Sequence, residues 1–138
     1  MKRVFLLMIA CCLFAAKGYS QQEQANPNAP EITFAETVHD FGTVPLNGVA
    51  EWEFTFTNTG KEPLIVQNCS SSCGCTAPTC PKDKPVLPGE KGTIKVKYTT
   101  THVEGGFDKF VTVLSNAKNS SVRISIKGIV ERPAEQLK

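Results

Sequence analysis

Ala50–Thr57 reads AEWEFTFT, and its alternation decides the fold class. Ala50, Trp52, Phe54 and Phe56 fall on one face, and Glu51, Glu53, Thr55 and Thr57 on the other. Successive side chains leave a pleated strand on opposite sides, so this pattern marks a half-buried antiparallel strand. Trp52 is accordingly expected in the core.

Working outward, similar short runs recur on both sides. Ile32 and Phe34 alternate with Thr33 and Ala35 and predict an opening strand. His39-Asp40-Phe41-Gly42 reads as a turn-like step into Thr43-Val44-Pro45, expected to be an edge or a strand switch because Pro45 cannot donate to a ladder. Asn58-Thr59-Gly60-Lys61 turns the chain, and Leu64-Ile65-Val66 starts the next strand. Ile94, Val96 and Tyr98 alternate with Lys95 and Lys97, Phe107–Leu114 is apolar enough to contact protein on both faces, and Val122, Ile124 and Ile126 alternate with Arg123, Ser125 and Lys127. The expected fold is all-β, an immunoglobulin-like β-sandwich of seven or eight antiparallel strands, with a closed barrel as the alternative.

The remaining chemistry is concentrated in Asn68–Cys80, NCSSSCGCTAPTC, which reads as a loop and holds four of the six cysteines, Cys69, Cys73, Cys75 and Cys80. A Cys69–Cys80 bridge would close a ring of 12 residues, an entropic contribution of about 3 kcal/mol. Cys73 and Cys75 could then pair across Gly74, which permits the tight turn they need, in a bridge easier to reduce than an ordinary one. Four cysteines allow three connectivities, and the sequence does not choose between them; the nested arrangement is the one expected on geometry. One alternative is a soft-metal site for zinc or copper(I), with Cys69, Cys73, Cys75 and Cys80 as ligands, or with His39 or His102 joining two of the cysteines instead. Its spacing, C-x3-C-x-C-x4-C, is not that of paired zinc knuckles. A second alternative is thiol redox chemistry at Cys73 and Cys75, although no helix is expected to begin there and lower a thiol pKa.

The N-terminus assigns the compartment. Lys2 and Arg3 precede an apolar run from Val4 to Ala16, followed by small residues at Gly18 and Ser20. This is the layout of a signal peptide over 1–20; the run is short for a spanning helix, and a lipid anchor at Cys11 is the lesser alternative. Residues 21–30 read as a flexible tether, 31–131 as the sandwich domain and 132–138 as a polar tail. With the signal removed, fifteen basic residues become twelve against thirteen acidic, so the chain stands near −1 and gains no support for a nucleic-acid partner. An exported chain, periplasmic or extracellular, favours bridged cysteines over reduced ones.

The other polar candidates have structural roles by default. His39 is expected to hydrogen bond to backbone, Asp40 to cap its turn, and Lys95, Lys97, Arg123 and Lys127 to serve as solvated edge protection. No nucleophile elbow or phosphate loop is present, so no catalytic residue and no cofactor is expected.

His39-Asp40-Phe41-Gly42, Asn58-Thr59-Gly60, Cys73-Gly74-Cys75-Thr76, Pro88-Gly89, Ser115-Asn116 and Gly128, in that order, resemble an exported bacterial family catalogued as a domain of unknown function and marked by HDFG and CGCT motifs. The resemblance spans Glu31–Glu131. That family is similar to the ASH, major-sperm-protein and PapD-like branch of immunoglobulin folds. The resemblance implies a sandwich that binds other proteins and implies no enzymatic activity. Its pattern centres on Cys73 and Cys75, so Cys69 and Cys80 are additions here. The function expected is an exported, non-catalytic module that binds an exported or envelope protein and carries a disulfide-stapled cysteine loop.

Secretion is predicted to remove residues up to about Ser20. N-terminal sequencing of the exported protein should begin at Gln21; a retained Met1 or a lipid on Cys11 contradicts this.

Overall fold

The computed structural model describes residues 26–100 and 104–133. The expected signal segment 1–20, Cys11, residues 21–25 of the tether, His102 and residues 134–138 of the tail lie outside them. The described chain forms eight strands: β1 (Ile32–Phe34), β2 (Val38–Pro45), β3 (Val49–Asn58), β4 (Val66–Ser71), β5 (Thr76–Thr79), β6 (Lys91–Thr99), β7 (Gly105–Ser115) and β8 (Ser121–Glu131). They pair into two four-stranded sheets, β1-β3-β6-β5 and β2-β8-β7-β4. This is the all-β, immunoglobulin-like sandwich, antiparallel except that β2 runs parallel to β8.

Alternation explains the core. Phe54, Phe56, Ile94 and Val96 from the first sheet and Val111, Val113, Ile124 and Ile126 from the second are all buried between the sheets. Full burial of such side chains stabilises the fold by about 1.5–3 kcal/mol each. Gly92 stands opposite Phe56 in the ladder, and a Cβ there would collide with the Phe56 ring. The ring therefore lies flat across that backbone.

Several expectations change. His39-Asp40-Phe41-Gly42 is not a turn but the body of β2, bulged between Asp40 and Thr43 against β8. Gly42 takes φ +64°, and its N–H donates to Asp40 Oδ1 at 2.9 Å, so the local bond that suggests a turn serves a bulge instead. Most of Asn68–Cys80 is likewise strand rather than loop. Finally, the outward cations do not guard edges, because β6 and β8 are interior strands. Lys95 pairs with Glu53 at 3.2 Å and Lys97 with Glu51 at 3.9 Å across the β3–β6 ladder. Lys127 reaches Asp40 at 3.5 Å, and the Arg123 guanidinium lies 4.2 Å from the Phe110 ring centroid.

Trp52 also departs from expectation. It has the inward parity of Phe54 but is 37% exposed, and β1 pairs with β3 only over Phe56–Asn58, which leaves the β3 edge beside Trp52 open. Phe54→Ala is predicted to cost about 3–5 kcal/mol in denaturant melts, against about 1–2 kcal/mol for Trp52→Ala. Equal losses would contradict the burial difference.

Candidate functional site

The cysteine stretch is where the chain changes sheets. β4 is the edge of one sheet and β5 the edge of the other, so residues 72–75 cross between them at the rim of the sandwich. Ser72 N–H donates to Phe110 O at 3.0 Å on the β7 side, and Thr99 N–H donates to Cys75 O at 3.0 Å on the β6 side. The crossing is therefore pinned to both sheets within four residues.

Cys69 on β4 is joined to Cys80, just past β5, with Cα atoms 6.4 Å apart. This disulfide does more than close a loop, since it ties the edge of one sheet to the edge of the other. Cys73 is joined to Cys75 at the tip, with Cα atoms 5.5 Å apart. A Cβ placed on Gly74 would meet nothing, so the tip faces open space. The two tip cysteines differ in surroundings. Cys75 packs against the core and lines a cleft of about 190 Å³ with Tyr98, Gly105, Gly106, Phe107 and Lys109. Cys73 lies outside that cleft, and its sulfur is 3.4 Å from Oγ1 of the buried Thr76. A disulfide sulfur has no hydrogen to give, so the Thr76 hydroxyl is the donor.

His39, expected as a substitute metal ligand, is not brought to the cysteines. β2 and β4 are the opposite edges of one sheet, with β8 and β7 between them, a separation of about 14 Å at ordinary strand spacing. Among the described residues no group of three or more His, Cys, Asp and Glu is placed to hold a metal ion. His39 instead stacks on Trp52, ring centroids 3.5 Å apart and planes 9° apart, with the Phe41 ring edge-on at 4.7 Å. Glu36 Oε1 accepts from Trp52 Nε1 and lies 3.6 Å from His39 Nδ1. Period-two reading missed this cluster because its members come from the β1–β2 connection, β2 and β3. Asp40 makes no hydrogen bond within it. The Gly42 N–H bond, helped by the Lys127 ammonium and by neighbouring His39, holds the exposed Asp40 carboxyl below its ordinary range.

The outer faces of the two sheets are unlike. On the first, Glu51, Glu53, Lys95 and Lys97 form the ion-paired ladder. On the second, Val38 and Leu114 are exposed at 50% and 38% beside the Arg123–Phe110 pair, while Ile129 lies beyond the Lys127–Asp40 ion pair; the first face also exposes Val49.

A model of the family described as "Protein of unknown function (DUF1573)" matches residues 32–130. No curated protein matches the sequence. Among solved structures, the ASH / PapD-like domain of human CEP192 (PapD-like domain 7) is similar at 11% identity and TM-score 0.63, over 78% of this chain and 90% of that one. A protein of unknown function from Porphyromonas gingivalis W83 is similar at 11% identity and TM-score 0.65, over 79% of this chain and 51% of that one. The VesB protease of Vibrio cholerae is similar at 17% identity and TM-score 0.56, over 75% of this chain and 32% of that one. This chain thus spans about half of the Porphyromonas protein and a third of the protease. At such identities the likeness is one of fold, here an ASH/PapD-like sandwich, and fold alone carries no activity.

The two disulfides should differ in worth. Replacing Cys69 and Cys80 together by Ser is predicted to lower stability by about 2–4 kcal/mol, and replacing Cys73 and Cys75 by less, because the shorter ring restrains the unfolded chain less. Equal losses in denaturant melts would show that the inter-sheet tie is not the stabilising one.

Proposed function

The chain belongs to the DUF1573 family, and on that premise we propose that it is an exported, non-catalytic module that binds another exported or envelope protein. The observation that carries this reading is the Arg123–Phe110 stack on the outer face of the second sheet, with apolar side chains exposed beside it. A solvated sheet face is ordinarily polar, as the first sheet is with its cross-strand ion pairs. The second carries the Lys127–Asp40 ion pair, but it also exposes Val38 and Leu114 beside an arginine stacked on a phenylalanine. Arginine and aromatic residues are over-represented in the buried centres of protein interfaces, where both make large contacts at modest entropic cost. Export is supported by the charged and apolar N-terminus together with two disulfides, which persist in oxidising compartments.

Photocrosslinking amino acids placed at Val38 and Leu114, and as controls at Glu53 and Lys95, test the assignment in exporting cells. One discrete protein adduct is expected from the first pair only. Arg123→Glu should reduce that adduct at least tenfold while leaving the melting temperature unchanged. Adducts of equal yield from both faces, or from neither, would refute the reading.

A further inference from the structure

We propose that Cys73–Cys75 is a thiol–disulfide exchange site that accepts electrons from an anionic thiol docking in the cleft beside Cys75. The proposal rests on the tip and its cleft, and stands apart from the binding face on the second sheet. Two disulfides share this rim, but only one is placed to react. Cys69, Cys75 and Cys80 all pack against the core, but only the Cys73–Cys75 bond lies at a tip open at Gly74 and beside a cleft. A ring with a single residue between its cysteines also gains little from loop closure, so its opening is opposed by little.

The surroundings give the exchange a direction. The cleft reaches Cys75 and not Cys73, so the incoming sulfur meets Cys75 first. Tyr98 and Phe107, stacked with ring centroids 4.3 Å apart, form an apolar wall, and Lys109 adds a positive charge. An apolar wall with one cation suits a thiol whose carrier bears a carboxylate. The Thr76 hydroxyl, already directed at the Cys73 sulfur, is placed to stabilise that sulfur as it departs with charge. The step balances as follows. The incoming thiolate bonds to Cys75 Sγ, the Cys73–Cys75 bond breaks, and its electron pair leaves on Cys73 as a thiolate that accepts the Thr76 hydrogen bond. A second thiolate then attacks the incoming sulfur of the mixed disulfide and releases Cys75 as thiolate. Two thiols are oxidised to one disulfide, and Cys73 and Cys75 take up two electrons and two protons.

The test exposes the oxidised full chain to limiting reduced glutathione, to an acidic single-cysteine peptide, and to the cationic thiol cysteamine. Acid quenching, alkylation and mass spectrometry then locate each thiol and adduct. The expected result is loss of Cys73–Cys75 with Cys69–Cys80 intact, and a first adduct on Cys75. Both anionic thiols should react several-fold faster per thiolate than cysteamine, and the faster of the two identifies the source. Lys109→Met should remove that preference. Thr76→Val should slow exchange at least threefold, and Thr76→Ser should restore it, with melting temperatures confirming that each variant is folded. Opening of Cys69–Cys80 first, a first adduct on Cys73, or rates indifferent to thiol charge in the unaltered chain would overturn the proposal.

Discussion

Stacking two sheets inner face to inner face leaves strand edges whose peptide groups have no neighbouring strand, and three asparagine side chains meet much of that need. Asn119, in the β7–β8 turn, accepts from Ile32 N–H at 3.1 Å and donates to Ile32 O at 2.7 Å, completing the free side of β1. Asn116, in the same turn, accepts from Ile65 N–H at 2.7 Å and donates to Pro63 O at 3.1 Å. Asn58 is fully buried and donates to Glu62 O and Val86 O while accepting from Gly60 N–H and Glu31 N–H. A buried polar group left unpaired costs about 1–3 kcal/mol, and among the described residues no buried side-chain polar atom lacks a partner. One turn of the second sheet thus grips β1 of the first and the run leading into β4, which fixes the sheets relative to each other.

The opposite rim solves the same problem covalently. β4 and β5 are edges of different sheets joined by a short crossing, so little backbone is available to pair across the gap. The Cys69–Cys80 disulfide spans it, and a bridge from Val66 to Lys82 continues the closure. With that rim held, Cys73 and Cys75 are released from any structural duty of similar weight, which is why a reactive role falls to them and not to the outer pair.

Trp52 shows how far alternation can be read. Its parity is inward, as AEWEFTFT says, yet parity states only which way a side chain points. Whether it is covered depends on its neighbours in three dimensions, and there β3 is an open edge on which β2 stacks His39. His39 was similarly legible as a residue with a local partner but not as a ring stacked on a tryptophan on another sheet. The cysteines were legible as a cluster because they share one stretch of chain, whereas Thr76 and Lys109 carried no signal of their relation to them.

The sequence by itself determined the fold class and a count of seven or eight strands, and it set four of the six cysteines in Asn68–Cys80. These follow from period-two patterning, turn residues and spacing, which act over a few neighbouring residues. Only the tertiary structure decided that β2 runs parallel to β8, that the cysteine stretch is a crossing between two sheet edges, and that Cys75 rather than Cys73 faces a cleft. Those facts depend on which distant strands pair, and pairing is fixed by burying both inner faces at once, a condition that no local stretch of sequence records.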